Sequence, residues 1–167
     1  MLKNLFFIII LLSVLTLQAQ LGFCGGNSGD PIFTETFGTG ATTQLPAGTT
    51  SYIFASSQPN DGFYNVSNNT NWFGWHDIVD HTSGDTDGRM LVINADFTSG
   101  EFYRTTINGL CENTTYEFSS WMVNLSPSND CGGAPIPINV KFEIWDNTDT
   151  NLLASGDTGN INGTSSP

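Results

Sequence analysis

The chain has 167 residues, 4 basic against 16 acidic, and a formal net charge of −12 at pH 7. Phosphate backbones and anionic membranes are held by clustered Lys and Arg, so this balance argues against both as partners. Cations and neutral polymers such as glycans remain compatible with it.

Lys3 precedes an apolar run, Leu5 to Leu12, and the stretch closes on Ala19. A run this short, with a basic start and a small residue at its end, predicts a secretory signal peptide over residues 1–19. A membrane anchor needs about 18 or more apolar residues, and no other stretch approaches that. The mature chain is therefore expected to be secreted and not an integral membrane protein. Residues 20–167 are expected to form a single domain, large enough to bury a core without staples. Export permits disulfides. The three cysteines, Cys24, Cys111 and Cys131, leave one over. Cys111 and Cys131 flank one strand-like segment and are the candidate pair, although all three pairings stay open on sequence.

Helical periodicity is missing after the leader. Short apolar or alternating runs between Gly, Asn, Ser and Thr clusters predict an all-β antiparallel sandwich. In chain order the expected strands are Ile32–Phe37, Ser51–Ala55, Gly62–Val66, Arg89–Ala95, Glu101–Ile107, Thr115–Leu125, Ile138–Trp145 and Leu152–Ser155. Pro135 and Pro137 suit a loop or the start of an edge strand. Within the seventh strand Val140, Phe142 and Ile144 face one side, while Lys141, Glu143 and Trp145 face the other. That places Trp145 among charged residues, as a candidate stacking platform. Trp121 is expected in or near the core. The chain closes on turn material without a final strand, which predicts a C-terminally incomplete domain lacking its closing strands.

One stretch, WHDIVDHTSGDTDGRM (75–90), holds both histidines. His76 and His81 lie five apart, without the spacing of a zinc helix or a Cys pair. Asp85 to Gly88 begins like an EF-hand, but Arg89 and Met90 occupy the next two positions, where the motif needs an oxygen ligand and a glycine. A looser calcium site, with Asp85 or Asp87 joining Glu35 from the first strand, satisfies the need of hard cations for converging oxygens. No nucleophile elbow or Ser/His/Asp order is present, and three cysteines in an exported chain read as disulfide formers, so no catalytic residues are expected.

Four segments together carry a resemblance: PIFTETFGTG (31–40), residues 75–104, GLCENTTYEFSSWMVNL (109–125) and residues 135–167. They look like the N-terminal β-sandwich of large secreted proteins of gliding bacteria, which often end in a sorting domain for type IX secretion. Asp80-His81-Thr82 with Gly84, after a Trp and before a strand, is also similar to MAM adhesion domains. The resemblance implies a jelly roll of the galactose-binding or carbohydrate-binding-module kind, often with a structural Ca2+. In such folds an acidic residue of the first strand meets a loop before a middle strand, and Glu35 with Asp85 and Asp87 match those positions. The function implied is non-catalytic binding of glycans or cell-surface polymers, with Trp72, Trp75, Tyr103 and Trp145 as candidate contacts. A structural spacer or adhesin domain, or a fragment of a secreted polysaccharide hydrolase, are the alternatives.

Overall fold

The computed structural model describes residues 31–167; the signal peptide and Cys24 lie outside the described residues. The described part is β-rich. Its regular structure is strand apart from one three-residue 3-10 turn, Asp130–Gly132. Five strands form two small sheets: β1 (Ile53–Phe54), β2 (Phe63–Ser67) and β3 (Met90–Asn94) in the order β1-β2-β3, and β4 (Lys141–Trp145) with β5 (Leu152–Asp157). Among the described residues no helix is long and apolar enough to cross a membrane.

Residues 31–34 and 107–118 belong to one compact unit, and 35–106 and 119–167 to a second. In the first, Asn113 takes a left-handed turn and the Cys111 amide donates to the Tyr116 hydroxyl at 2.5 Å. The second carries every strand.

β2 is the centre of the second unit. Tyr64, Asn65, Val66 and Ser67 are buried in succession, so both faces of the strand are covered. Val92, opposite Asn65 in the antiparallel β2–β3 register, completes a core of three buried apolar residues with Tyr64 and Val66. The polar interior is organised by side chains that replace missing ladder bonds. Asn65 Nδ2 donates to the Ala55 and Ser57 carbonyls, both at 2.8 Å, and pins the chain after β1. Its Oδ1 is buried without a hydrogen-bond partner, a cost the two Nδ2 bonds offset. Tyr64 Oη accepts from the Leu45 amide. The Thr70 hydroxyl donates to the His76 carbonyl and accepts from the Ile78 amide, closing the loop between them.

β4 and β5 form an antiparallel hairpin with an irregularity between Ile144 and Trp145. Its turn is built on Asp146. That carboxylate accepts from the amides of Thr148 and Thr150, the Thr148 and Thr150 hydroxyls and Asn151 Nδ2, the local bonding for which Asp is favoured in turns.

Three expected strands are not strands. Ile32–Phe37 gives way to left-handed Phe37 and Gly38, followed by a single bridge from Thr39 to Gly88. Glu101–Ile107 makes two backbone bonds with residues 49–51, Ser51 N to Glu101 O and Arg104 N to Thr49 O, and does not extend them into a ladder. Thr115–Leu125 is divided between the two units, and Phe118, Trp121 and Val123 are exposed. Alternation alone does not supply a neighbouring strand, and a strand is defined by its partner. The other five, Ser51–Ala55, Gly62–Val66, Arg89–Ala95, Ile138–Trp145 and Leu152–Ser155, are matched by β1 to β5, with ends shifted by up to three residues.

Candidate functional site

The stretch 76–81 runs beside residues 121–125, and its two histidines make the attachment. The His76 amide donates to the Leu125 carbonyl at 2.9 Å, and the His76 ring Nε2 lies 3.1 Å from the Thr164 carbonyl. Five residues on, the His81 ring stacks on Trp121, with centroids 3.7 Å apart and planes tilted by 37°. Trp121 is nevertheless 78% exposed. The expected core position for this residue is therefore corrected. Its segment lies on the surface, one ring face meets His81, and the rest of the indole faces solvent.

Beside His81 lies a pair of carboxylates. Asp80 Oδ2 accepts from the Thr82 amide at 2.8 Å, which fixes the side chain. Asp80 and half-buried Asp85 converge over buried Gly88, where a Cβ would collide with oxygens of both. Partial burial, and then the charge and hydrogen bond of Asp80, push the Asp85 carboxyl above its ordinary range. The three basic residues of the described chain are committed elsewhere. Arg89 donates to the carbonyls of Phe37 and Ala41. Arg104 pairs with Glu101 and Asp149, and Lys141 with Glu143. The Asp80–Asp85 pair thus has no intramolecular counter-cation among the described residues.

The expected calcium ligands are not gathered. Glu35 turns to its own segment, accepting from the Phe37 amide at 2.7 Å and from the Tyr103 hydroxyl at 3.1 Å. Asp87 takes a left-handed φ of 57° and contributes its backbone carbonyl, which accepts from the Gly40 amide. Only Asp85 of the three faces a second carboxylate, and that partner is Asp80. Calcium takes six to eight oxygens. Among the described residues no group of three or more His, Cys, Asp or Glu could hold a metal ion, so the set Glu35, Asp85 and Asp87 does not fit one.

The expected aromatic contacts have other occupations. Tyr103 meets Phe37 edge to face, with centroids 5.6 Å apart, in addition to its bond with Glu35. Burial and the Glu35 charge raise its phenol above the usual value. Trp72 and Trp75 flank a turn through left-handed Phe73 and Gly74, closed by the Trp75 amide on the Trp72 carbonyl. Both indoles are half-buried, and Trp75 packs against Phe73 at 4.9 Å. Trp145 is 40% exposed and donates from Nε1 to Glu143. The Cys111–Cys131 bridge is not made, because Cys131 is a free, exposed thiol at a left-handed position of the 3-10 turn.

Sequence reasoning passed over Trp121 because its neighbours alternate like a buried strand. Its signal was present in the two histidines, which lacked any catalytic or metal partner and serve to hold this segment. No protein-family model, curated protein or solved structure matches the chain.

Proposed function

We infer that this chain is a non-catalytic, extracellular binding module whose ligand is a glycan or a related cell-surface polymer. The observation that carries the reading is Trp121, 78% exposed while one ring face is held on His81. An indole oriented by a neighbour and open on its other side offers a flat apolar surface at little ordering cost. The flat faces of pyranose rings are suited to such a surface. The leader-like residues 1–19 and the acidic composition support an exported location. The reading supposes a jelly-roll architecture like that of secreted proteins of gliding bacteria, and the two antiparallel pairings, β2–β3 and β4–β5, are consistent with it at the level of a β-rich chain. Glu35, Asp85 and Asp87 form no group of metal ligands among the described residues, so the reading does not call on a structural Ca2+.

A glycan array probed with the secreted chain and with Trp121→Ala tests this. Binding that is lost in Trp121→Ala is the expected result. Silence across the array favours a structural spacer, and turnover of a polysaccharide favours a hydrolase; either contradicts the reading.

A further inference from the structure

We propose that Asn108-Gly109 is a self-modification site, at which Asn108 converts to aspartate and isoaspartate through a cyclic imide. The conversion needs water and no enzyme. The Gly109 amide nitrogen attacks Cγ of Asn108; the N–Cγ bond forms, the Cγ–Nδ2 bond breaks, and the amide proton leaves with the ammonia. Water then opens the imide at one of its two carbonyls. Opening at the main-chain carbonyl carbon gives isoaspartate, in which the backbone runs through Cβ, and opening at Cγ gives aspartate. Either product adds one negative charge, and isoaspartate also lengthens the backbone by one carbon.

Asn-Gly occurs twice in the chain, at 108–109 and at 162–163. In both, glycine leaves the attacking nitrogen without a side chain beside it, so local sequence does not separate them. The fold does. Ring closure requires the Asn-Gly peptide to turn until its nitrogen meets Cγ, and a chain fixed on both sides resists that turn. At 162 both sides are fixed. The Ile161 amide and carbonyl both bond to Ile138, and the carbonyl also accepts from Asn124 Nδ2. The Thr164 carbonyl accepts from the Ser128 amide and lies 3.1 Å from His76 Nε2. Between them Gly163 is half-buried, and a Cβ there would lie 2.3 Å from the Ser126 carbonyl oxygen. The other pair has none of these restraints. Asn108 and Gly109 are exposed, and a Cβ on Gly109 would meet no atom within 4 Å. Among the described residues, no backbone hydrogen bond is made by residues 106–110. Gly109 takes a φ of 83°, open to glycine at no steric cost. The pair follows Thr106, the last residue of the second unit before the chain enters the first. The new charge and the added carbon therefore fall at that connection.

The test incubates the secreted chain in mildly alkaline buffer, folded and in concentrated urea, and follows both pairs by peptide mapping with mass spectrometry. Hydroxylamine, which cleaves the chain at the imide, gives a second readout. In the folded chain Asn108 should convert at least about tenfold faster than Asn162, because reaction at 162 waits on local opening of its surroundings. In urea the two rates should become equal, and hydroxylamine should cut the folded chain after residue 108 alone. Gly109→Ala, which places a side chain beside the nitrogen, should slow conversion at 108 and leave 162 unchanged. Equal rates in the folded chain overturn the proposal, as does an Asn108 that stays intact when folded and converts in urea. A difference that persists in urea overturns it too, since the fold would then not be its source.

Discussion

The two sheets were read from the same kind of sequence pattern and have opposite environments. In β2 four successive residues, Tyr64 to Ser67, are buried, whereas every residue of β5 is exposed and β4 is exposed at all but Phe142. β2 has a partner on each side and loops tied over it by Asn65 and Thr70. β4 and β5 have each other, a turn tied to Arg104 through Asp149, and no further strand on either side. An isolated two-stranded hairpin is marginal in water, so the first sheet carries the stability of this unit and the second depends on its turn. The difference teaches that alternation orients side chains, while burial is decided by what lies across from them.

The largest effect is expected at the buried strand. Tyr64→Ala should cost about 3–5 kcal/mol, the range for removing a large aromatic from a core, and it also strips the acceptor from the Leu45 amide. The matched change on the hairpin, Leu153→Ala at a residue 65% exposed, should fall within about 0.5 kcal/mol. Chemical denaturation of both variants measures the contrast, and comparable losses would remove the distinction between the sheets.

Next comes Asn65→Ala. It leaves the Ala55 and Ser57 carbonyls without their side-chain donor, at an expected cost of about 1–3 kcal/mol. Asn65→Asp should fare no better, because it replaces the two-bond donor with an acceptor facing two carbonyls. A neutral result in the same denaturation series would mean that the loop after β1 is held by other contacts.

A smaller, local effect is expected at Asp146. The amide of Thr150, and then the side chain of Asn151, hold its carboxyl well below the ordinary range. A carboxylate whose value is lowered by folding stabilises the turn above the unfolded value near 3.8. That contribution is lost as pH falls through the lower folded value. Hydrogen exchange should accordingly show β4–β5 amides losing protection in strong acid, and in Asp146→Ala at neutral pH, while β2–β3 amides keep theirs. Equal loss in both sheets would show that the two unfold together. Asp85 has the opposite sign. Its raised carboxyl contributes stability that is present below its unfolded value and lost as pH rises through the folded one, so Asp85→Asn is expected to be neutral or stabilising near pH 7.

Much of the second unit was legible in the sequence, and the reasons are local. Gly62–Val66 and Arg89–Ala95 are apolar runs bounded by turn residues, and both became strands of one sheet. Ile138–Trp145 and Leu152–Ser155 are separated by Asp, Asn and Thr, whose side chains build the turn that pairs them. The parallel pairing of β1 with β2, made by the backbone bonds Ile53 N to Gly62 O and Ala55 N to Tyr64 O, was not legible, since parallel neighbours this close in sequence leave no local pattern; Asn65 then holds the chain that follows β1. Thr115–Leu125 shows the limit of alternation. Its pattern is that of a half-buried strand, yet its tertiary partner is the loop 76–81 and not a ladder. Part of the candidate site was visible for the same reason that part was hidden. Asp85 could be singled out by composition. Its approach to Asp80, five residues away, depends on how the loop folds over Gly88, and the placement of His81 against Trp121 depends on a contact across 40 residues that no local pattern encodes.

The central claim is that Trp121, and not one of the other three tryptophans, is the ligand-facing indole. Its most direct test is the 15N–1H spectrum of the four indole groups during titration with the oligosaccharide that binds best on the glycan array. The account predicts a saturable shift of the Trp121 indole, with Trp72, Trp75 and Trp145 nearly unmoved. A shift at Trp75 or Trp145 with Trp121 unchanged would contradict it.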